Sequence, residues 1–67
     1  MKYFRLDSNF IFRIVGEEGD GSWLYEMQSD DGSWYYQEGF VMPRGHLRYY
    51  QELTKAEIIK EVLKNGN

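Results

Sequence analysis

Phe10, Phe12 and Ile14 alternate with Ile11, Arg13 and Val15, and the same two-residue period returns as Trp23, Tyr25 and Met27 against Leu24, Glu26 and Gln28. Trp34 and Tyr36 alternate with Tyr35 and Gln37, and Phe40 and Met42 continue that side. A shorter first run, Tyr3 to Leu6, sets Phe4 and Leu6 against Tyr3 and Arg5. Successive side chains on a strand point to opposite faces, so each run predicts a strand with one apolar side.

The loops join these runs into one sheet. Asp7-Ser8-Asn9 turns the chain, and pairing Leu6 with Phe10 sets Phe4 opposite Phe12. Gly16-Glu17-Glu18-Gly19-Asp20-Gly21 is an acidic, flexible connector; pairing Val15 with Ser22 across it sets Ile14 by Trp23 and Phe12 by Tyr25. Asp30-Asp31-Gly32 is a hairpin signal, because Asp and Gly tolerate the positive φ of tight turns. A two-residue turn at Asp31-Gly32 places Met27 opposite Tyr36, and one at Asp30-Asp31 places Tyr25 there. Either register keeps Trp23, Tyr25, Met27, Trp34, Tyr36 and Phe40 on one face, whereas a one-residue slip would turn that set over. Asp20-Gly21-Ser22-Trp23-Leu24-Tyr25-Glu26 recurs as Asp31-Gly32-Ser33-Trp34-Tyr35-Tyr36-Gln37, which predicts the same turn opening the same kind of strand twice.

Met42-Pro43-Arg44-Gly45 ends the strand pattern, since Pro43 cannot donate to a ladder. Residues 46–52 read as a loop or a short edge strand. Leu53-Thr54-Lys55-Ala56-Glu57-Ile58 then marks a helix start: Thr54 as N-cap, Glu57 as its capping-box partner, Leu53 and Ile58 as the hydrophobic staple. The helix is expected to reach Lys64, with Gly66 near its C-cap. Ala56, Ile58, Ile59, Val62 and Leu63 form its apolar stripe, and Lys55, Glu57, Lys60, Glu61 and Lys64 its solvent side. The predicted fold is α+β: a three- to four-stranded antiparallel meander over residues 1–42, a connecting segment over 43–53, and an amphipathic helix over 54–64 that covers the aromatic face of the sheet.

Sixty-seven residues hold one small domain with a marginal core. Cysteine is absent and histidine occurs once, which removes disulfides and thiolate zinc sites. Aromatic residues, 18% of the chain, are the compensating source of buried area. The net charge of −3 lowers the odds of general nucleic-acid binding, because phosphate contacts need clustered Lys and Arg. No apolar run is long enough to span a bilayer, the first residues do not form a signal peptide, and the cytoplasm is the expected compartment.

No catalytic motif stands out, and no enzyme activity, cofactor or metal is expected. His46 titrates near neutrality when unperturbed, but it follows a Pro-Arg-Gly turn with no nucleophile motif beside it. The acidic loops, with Glu17, Glu18, Asp20, Asp30 and Asp31, lack the calcium-loop pattern. Arg44, His46, Arg48, Tyr49 and Tyr50 form the one locally basic, aromatic stretch. The second face of the sheet mixes Tyr3, Ile11, Val15, Leu24 and Tyr35 with Arg5, Arg13, Glu26, Gln28 and Gln37, more apolar than a solvated face requires. A small core and that half-apolar face both point towards a homodimer. The expected function is a non-enzymatic interaction module that binds a protein or peptide through a sheet face or edge, with Tyr3, Arg13, Leu24, Tyr35, Arg44, Arg48 and Tyr49 as binding residues. The alternative is a small single-stranded nucleic-acid binder that uses Arg44, Arg48, Tyr49 and Tyr50.

Overall fold

The two copies of Asp-Gly-Ser set the geometry of the sheet. A computed structural model of the protein describes residues 1–8, 10–38 and 41–63. In the first copy Glu18 N–H donates to Ser22 C=O (2.8 Å) and Gly21 N–H to Glu18 C=O (3.0 Å); in the second Ser29 N–H donates to Ser33 C=O (2.8 Å) and Gly32 N–H to Ser29 C=O (2.9 Å). Gly21 and Gly32 both sit at φ 89°. Each is therefore a three-residue hairpin loop, a tight turn closed by a left-handed glycine. The aspartate locks it: Asp20 Oδ1 accepts from Ser22 N–H (2.9 Å) and Ser22 Oγ (2.5 Å), and Asp31 Oδ1 from Ser33 N–H (2.9 Å) and Ser33 Oγ (2.6 Å).

These loops join β2 (Ile11–Glu17), β3 (Trp23–Gln28) and β4 (Trp34–Tyr35), and β1 (Tyr3–Arg5) precedes them. With β5 (Val41–Met42) and β6 (Gln51–Glu52) they make, among the described residues, a six-stranded antiparallel sheet in the order β4-β3-β2-β1-β6, and β5 pairs with β3. The β1–β2 hairpin has the expected register, Phe4 opposite Phe12. The β2–β3 pair keeps the expected faces in a different register, with Phe12 opposite Met27 and Ile14 opposite Tyr25 rather than Trp23. A bulge between Ile14 and Gly16 then shifts the ladder, so that Gly16 meets Leu24.

The β3–β4 hairpin differs from both registers expected of it. Its third loop residue puts Met27 opposite Tyr35 and Gln28 opposite Trp34. That is one residue away from either two-residue turn, so β4 is turned over. Trp34 leaves the face of Trp23 and Tyr25 and joins Tyr3 and Arg13 on the other. Phe40, Asn9, Lys64 and Gly66 lie outside the described residues.

Two covers close the sheet, one on each face. Phe4, Phe12 and Met42 form one buried cluster, with Ile14, Trp23, Tyr25, Met27, Leu47 and Tyr50 packed against it. Leu47 and Tyr50 come from a 3-10 turn, His46–Tyr49, and the residue after it. The chain then runs along the β1 edge as β6, with Leu53 N–H donating to Tyr3 C=O at 2.8 Å. This hand-over carries the helix to the opposite face. The α-helical turn Lys55–Glu57 (α1) and the π-helical segment Ile58–Val62 that continues it pack on the second cluster: Ile11, Leu53 and Val62 with Tyr3, Trp34 and Ile58.

The helix therefore does not shield Phe12, Trp23, Tyr25 and Tyr36, as its stripe suggested. Residues 46–50 already occupy that face, and Tyr36 is exposed. The helix start is as expected: Thr54 Oγ1 accepts from Glu57 N–H (3.1 Å) and Glu57 Oε1 from Thr54 N–H (2.9 Å). Its buried stripe is narrower than the pattern suggested. Ile58 and Val62 face the sheet, whereas Ala56, Ile59 and Leu63 are exposed. Among the described residues no helix is long and apolar enough to cross a membrane.

Candidate functional site

The helix face of the sheet carries the strongest electrostatics, and they are structural. Arg5 Nη2 donates to Glu61 Oε2 (2.6 Å) and Glu57 Oε2 (3.3 Å), which pins the helix to β1. Glu57 and Glu61 thus face the sheet rather than solvent. The Arg5 bond holds the Glu61 carboxyl below its ordinary value; for Glu57 the Thr54 N–H does so first, with Arg5 adding to it. Arg13 donates to Glu26 Oε1 from Nε at 2.8 Å, and its guanidinium lies 4.2 Å from the Trp34 ring centre. Tyr3 packs against Trp34 at 5.7 Å.

The expected binding residues are accordingly dispersed. Tyr3 and Arg13 are half-buried on the helix face, tied to Trp34 and Glu26. Leu24 is half-buried beside Gly16, where a Cβ would stand 3.2 Å from Leu24 Cδ1. The half-apolar face that suggested a homodimer is thus largely occupied by the chain's own helix. Tyr35, expected on that face, is on the other one and is 47% exposed.

Arg44, Arg48 and Tyr49 are all exposed but do not act together. Arg44 lies over the first Asp-Gly-Ser loop, its Nη1 3.0 Å from where a Cβ on Gly21 would stand. The Arg48 guanidinium lies 5.1 Å from the Tyr49 ring centre and donates to the Tyr49 hydroxyl (3.2 Å), and His46 meets the same ring edge-on at 5.6 Å. Tyr50 is half-buried, its ring edge-on to Phe12 at 5.3 Å. Of the four residues proposed to follow a nucleic acid, only Arg48 and Tyr49 share an open surface.

The open element is β4. It ends the ladder among the described residues, with β3 as its strand neighbour, while β5 shares the same outer edge of β3 at Trp23 and Leu24. Tyr35, Tyr36 and Val41 line this edge with exposed apolar side chains, and Asp30, Asp31 and Glu38 flank it. Tyr36 was expected on the covered aromatic face and is exposed instead, and Glu38 was not singled out from the sequence; the signal was there in Tyr35-Tyr36 followed by Gln37-Glu38, two rings that cannot both face one core. The opposite edge, β6, presents Gln51 and Glu52, both exposed. Asp31 is held down to about 2 by bonds from the Ser29 and Ser33 hydroxyls, so its own carboxylate stays charged. Among the described residues no group of three or more His, Cys, Asp or Glu could hold a metal ion.

A comparison with known proteins finds no matching family model, and no curated protein or solved structure that matches the chain.

Proposed function

We propose that this domain is a non-catalytic interaction module that takes an extended protein or peptide segment on the outer edge of β4. An exposed edge offers a row of backbone donors and acceptors, and strand addition is a common way of binding peptides. The observation that carries the reading is the contrast between the two ends of the sheet. Natural edges are commonly blunted by short strands, charge or a covering element. Both end strands are two residues long, but β6 presents the polar Gln51 and Glu52, whereas at the end of β4 the side chains of Tyr35 and Tyr36 stand 47% and 44% exposed. Tyrosine gives large contact area at low entropic cost, which suits a recognition surface.

Selection of short random peptides on the immobilised domain, with amide shift mapping of the enriched sequences, tests this. Enriched peptides should move the amides of residues 33–36 and bind at least several-fold more weakly to Tyr35→Lys. Peptides that map elsewhere and ignore that substitution would overturn the proposal.

The rival reading, single-stranded nucleic-acid binding through Arg44, Arg48, Tyr49 and Tyr50, is supported by the exposed Arg48–Tyr49 pair alone. The Tyr50 ring is engaged with Phe12 and Arg44 lies over an acidic loop. Salt-dependent binding of an oligonucleotide that Tyr49→Ala abolishes would favour it over the edge.

A further inference from the structure

We infer that the segment received by the β4 edge is basic: an extended chain carrying Lys or Arg interleaved with apolar side chains. This rests on the edge reading above and adds the chemistry of the ligand. Residues 14–43 contain seven carboxylates and no Lys, Arg or His, and all eight Lys and Arg lie outside that stretch. The two populations are separated along the chain, and Arg13 and Arg44 are the cations that the fold brings back onto the acidic stretch. β3, β4, β5 and the loops joining them form the acidic half, while β1, residues 44–50 and the helix carry cations.

Two of the acidic groups have cations beside them. Glu26 is paired with Arg13 at 2.6 Å, and the loop holding Asp20 lies under Arg44. The remaining acids of the stretch are Glu17 and Glu18 at the far end of the β2–β3 hairpin and the three around β4. Asp30, Asp31 and Glu38 are exposed and, among the described residues, form no ion pair. They bracket Tyr35 and Tyr36 in the chain, so a strand laid on this edge meets two rings between flanks of negative charge. An acidic strand would be repelled there, and complementary charge favours encounter and register. A second copy of this chain is a poorer occupant, because its own edges bring either Glu52 or the same three acids.

The test uses three synthetic strand-forming peptides with identical apolar positions and Lys, Gln or Glu between them, each titrated into the isotope-labelled protein. The Lys peptide should shift the amides of residues 33–36 and bind roughly tenfold tighter than the Glu peptide at low ionic strength, an advantage that shrinks as salt screens exposed charges. Asp30→Asn and Glu38→Gln should each weaken the Lys peptide about two- to fivefold. Equal affinity of the Lys and Gln peptides at those amides overturns the charge preference and leaves the edge reading standing. Failure of all three to move residues 33–36 overturns the edge reading itself. Concentration-dependent shifts of the same amides in the free protein would identify a second copy as the occupant and overturn the inference.

Discussion

The Arg13 guanidinium lies 4.2 Å from the centre of the Trp34 ring while its Nη2 holds Glu26 Oε1 at 2.6 Å. The contact joins β2, β3 and β4 on the face that the helix covers, and it exists only because β4 is turned over. Trp34 is thereby a structural residue, half-buried between Tyr3 and the helix cluster. Replacing a buried Trp by Ala costs about 3–5 kcal/mol, so Trp34→Ala, half-buried, should cost about 2–3 kcal/mol in urea unfolding. Tyr36→Ala should stay within about 0.5 kcal/mol, as for other exposed positions. The opposite ranking would return Tyr36 to the core.

Arg5 makes the clamp acid-sensitive. Glu57 and Glu61 have folded-state values below the ordinary 4.5, and Asp31 is near 2. A carboxylate lowered in the folded state contributes stability that is present above its unfolded value and lost as pH falls through the folded one. The melting temperature should therefore fall between about pH 4.5 and pH 2. Arg5→Met should make that acid limb shallower, because the lowering of Glu61 comes chiefly from Arg5. An unchanged limb in Arg5→Met would assign the acid sensitivity elsewhere.

The loop glycines give a paired test of the repeated motif. At φ 89° a side chain is strained, so Gly21→Ala and Gly32→Ala should each cost about 1–2 kcal/mol. Gly21→Ala also presses on Arg44, although that flexible side chain can move aside. Gly19, with nothing within 4 Å of its would-be Cβ, is the control: Gly19→Ala should be neutral or slightly stabilising by chemical denaturation.

The helix start was legible to the atom. Thr54 and Glu57 cap each other as their spacing predicts, because a capping box is local chemistry within four residues. Thr54→Ala should accordingly cost about 1 kcal/mol in the same denaturation assay, with the loss concentrated in amide protection at residues 57–59. The Phe4–Phe12 register was legible for a similar reason: one short turn fixes it. The face of β4 was not, because two-residue and three-residue loops compete for the same Asp-Asp-Gly and one residue decides which way every following side chain points. The cue lay in the serines. Ser33 gives Asp31 a backbone and a hydroxyl donor two residues on, as Ser22 does for Asp20, and this pattern favours the longer loop. The helix's destination was illegible for a nonlocal reason. Its stripe fits either face, and the choice falls to residues 46–50, whose apolar positions show no strand or long-helix period.

Those residues supply the last prediction, which compares two adjacent tyrosines. Tyr50 stands edge-on to Phe12 at 5.3 Å and Phe4 stacks on the same ring at the same distance, so Phe12, fully buried, depends on the turn for part of its cover. Tyr49 points away and is 67% exposed. A small domain has little stability to lose, since about 0.05–0.15 kcal/mol per residue is typical. Tyr50→Ala removes an aromatic pair and opens a gap beside Phe12, so it should cost about 2–3 kcal/mol and leave a large fraction of the chain unfolded at moderate urea. Tyr49→Ala should leave the unfolding midpoint almost unchanged while removing the ring that Arg48 and His46 share. Fast amide exchange at Phe4 and Phe12 in Tyr50→Ala, with the helix amides still protected, would show the two covers acting separately. Simultaneous loss at both faces would mean the sheet cannot survive with one face open, which is what a core divided between two small clusters predicts for the larger of its losses.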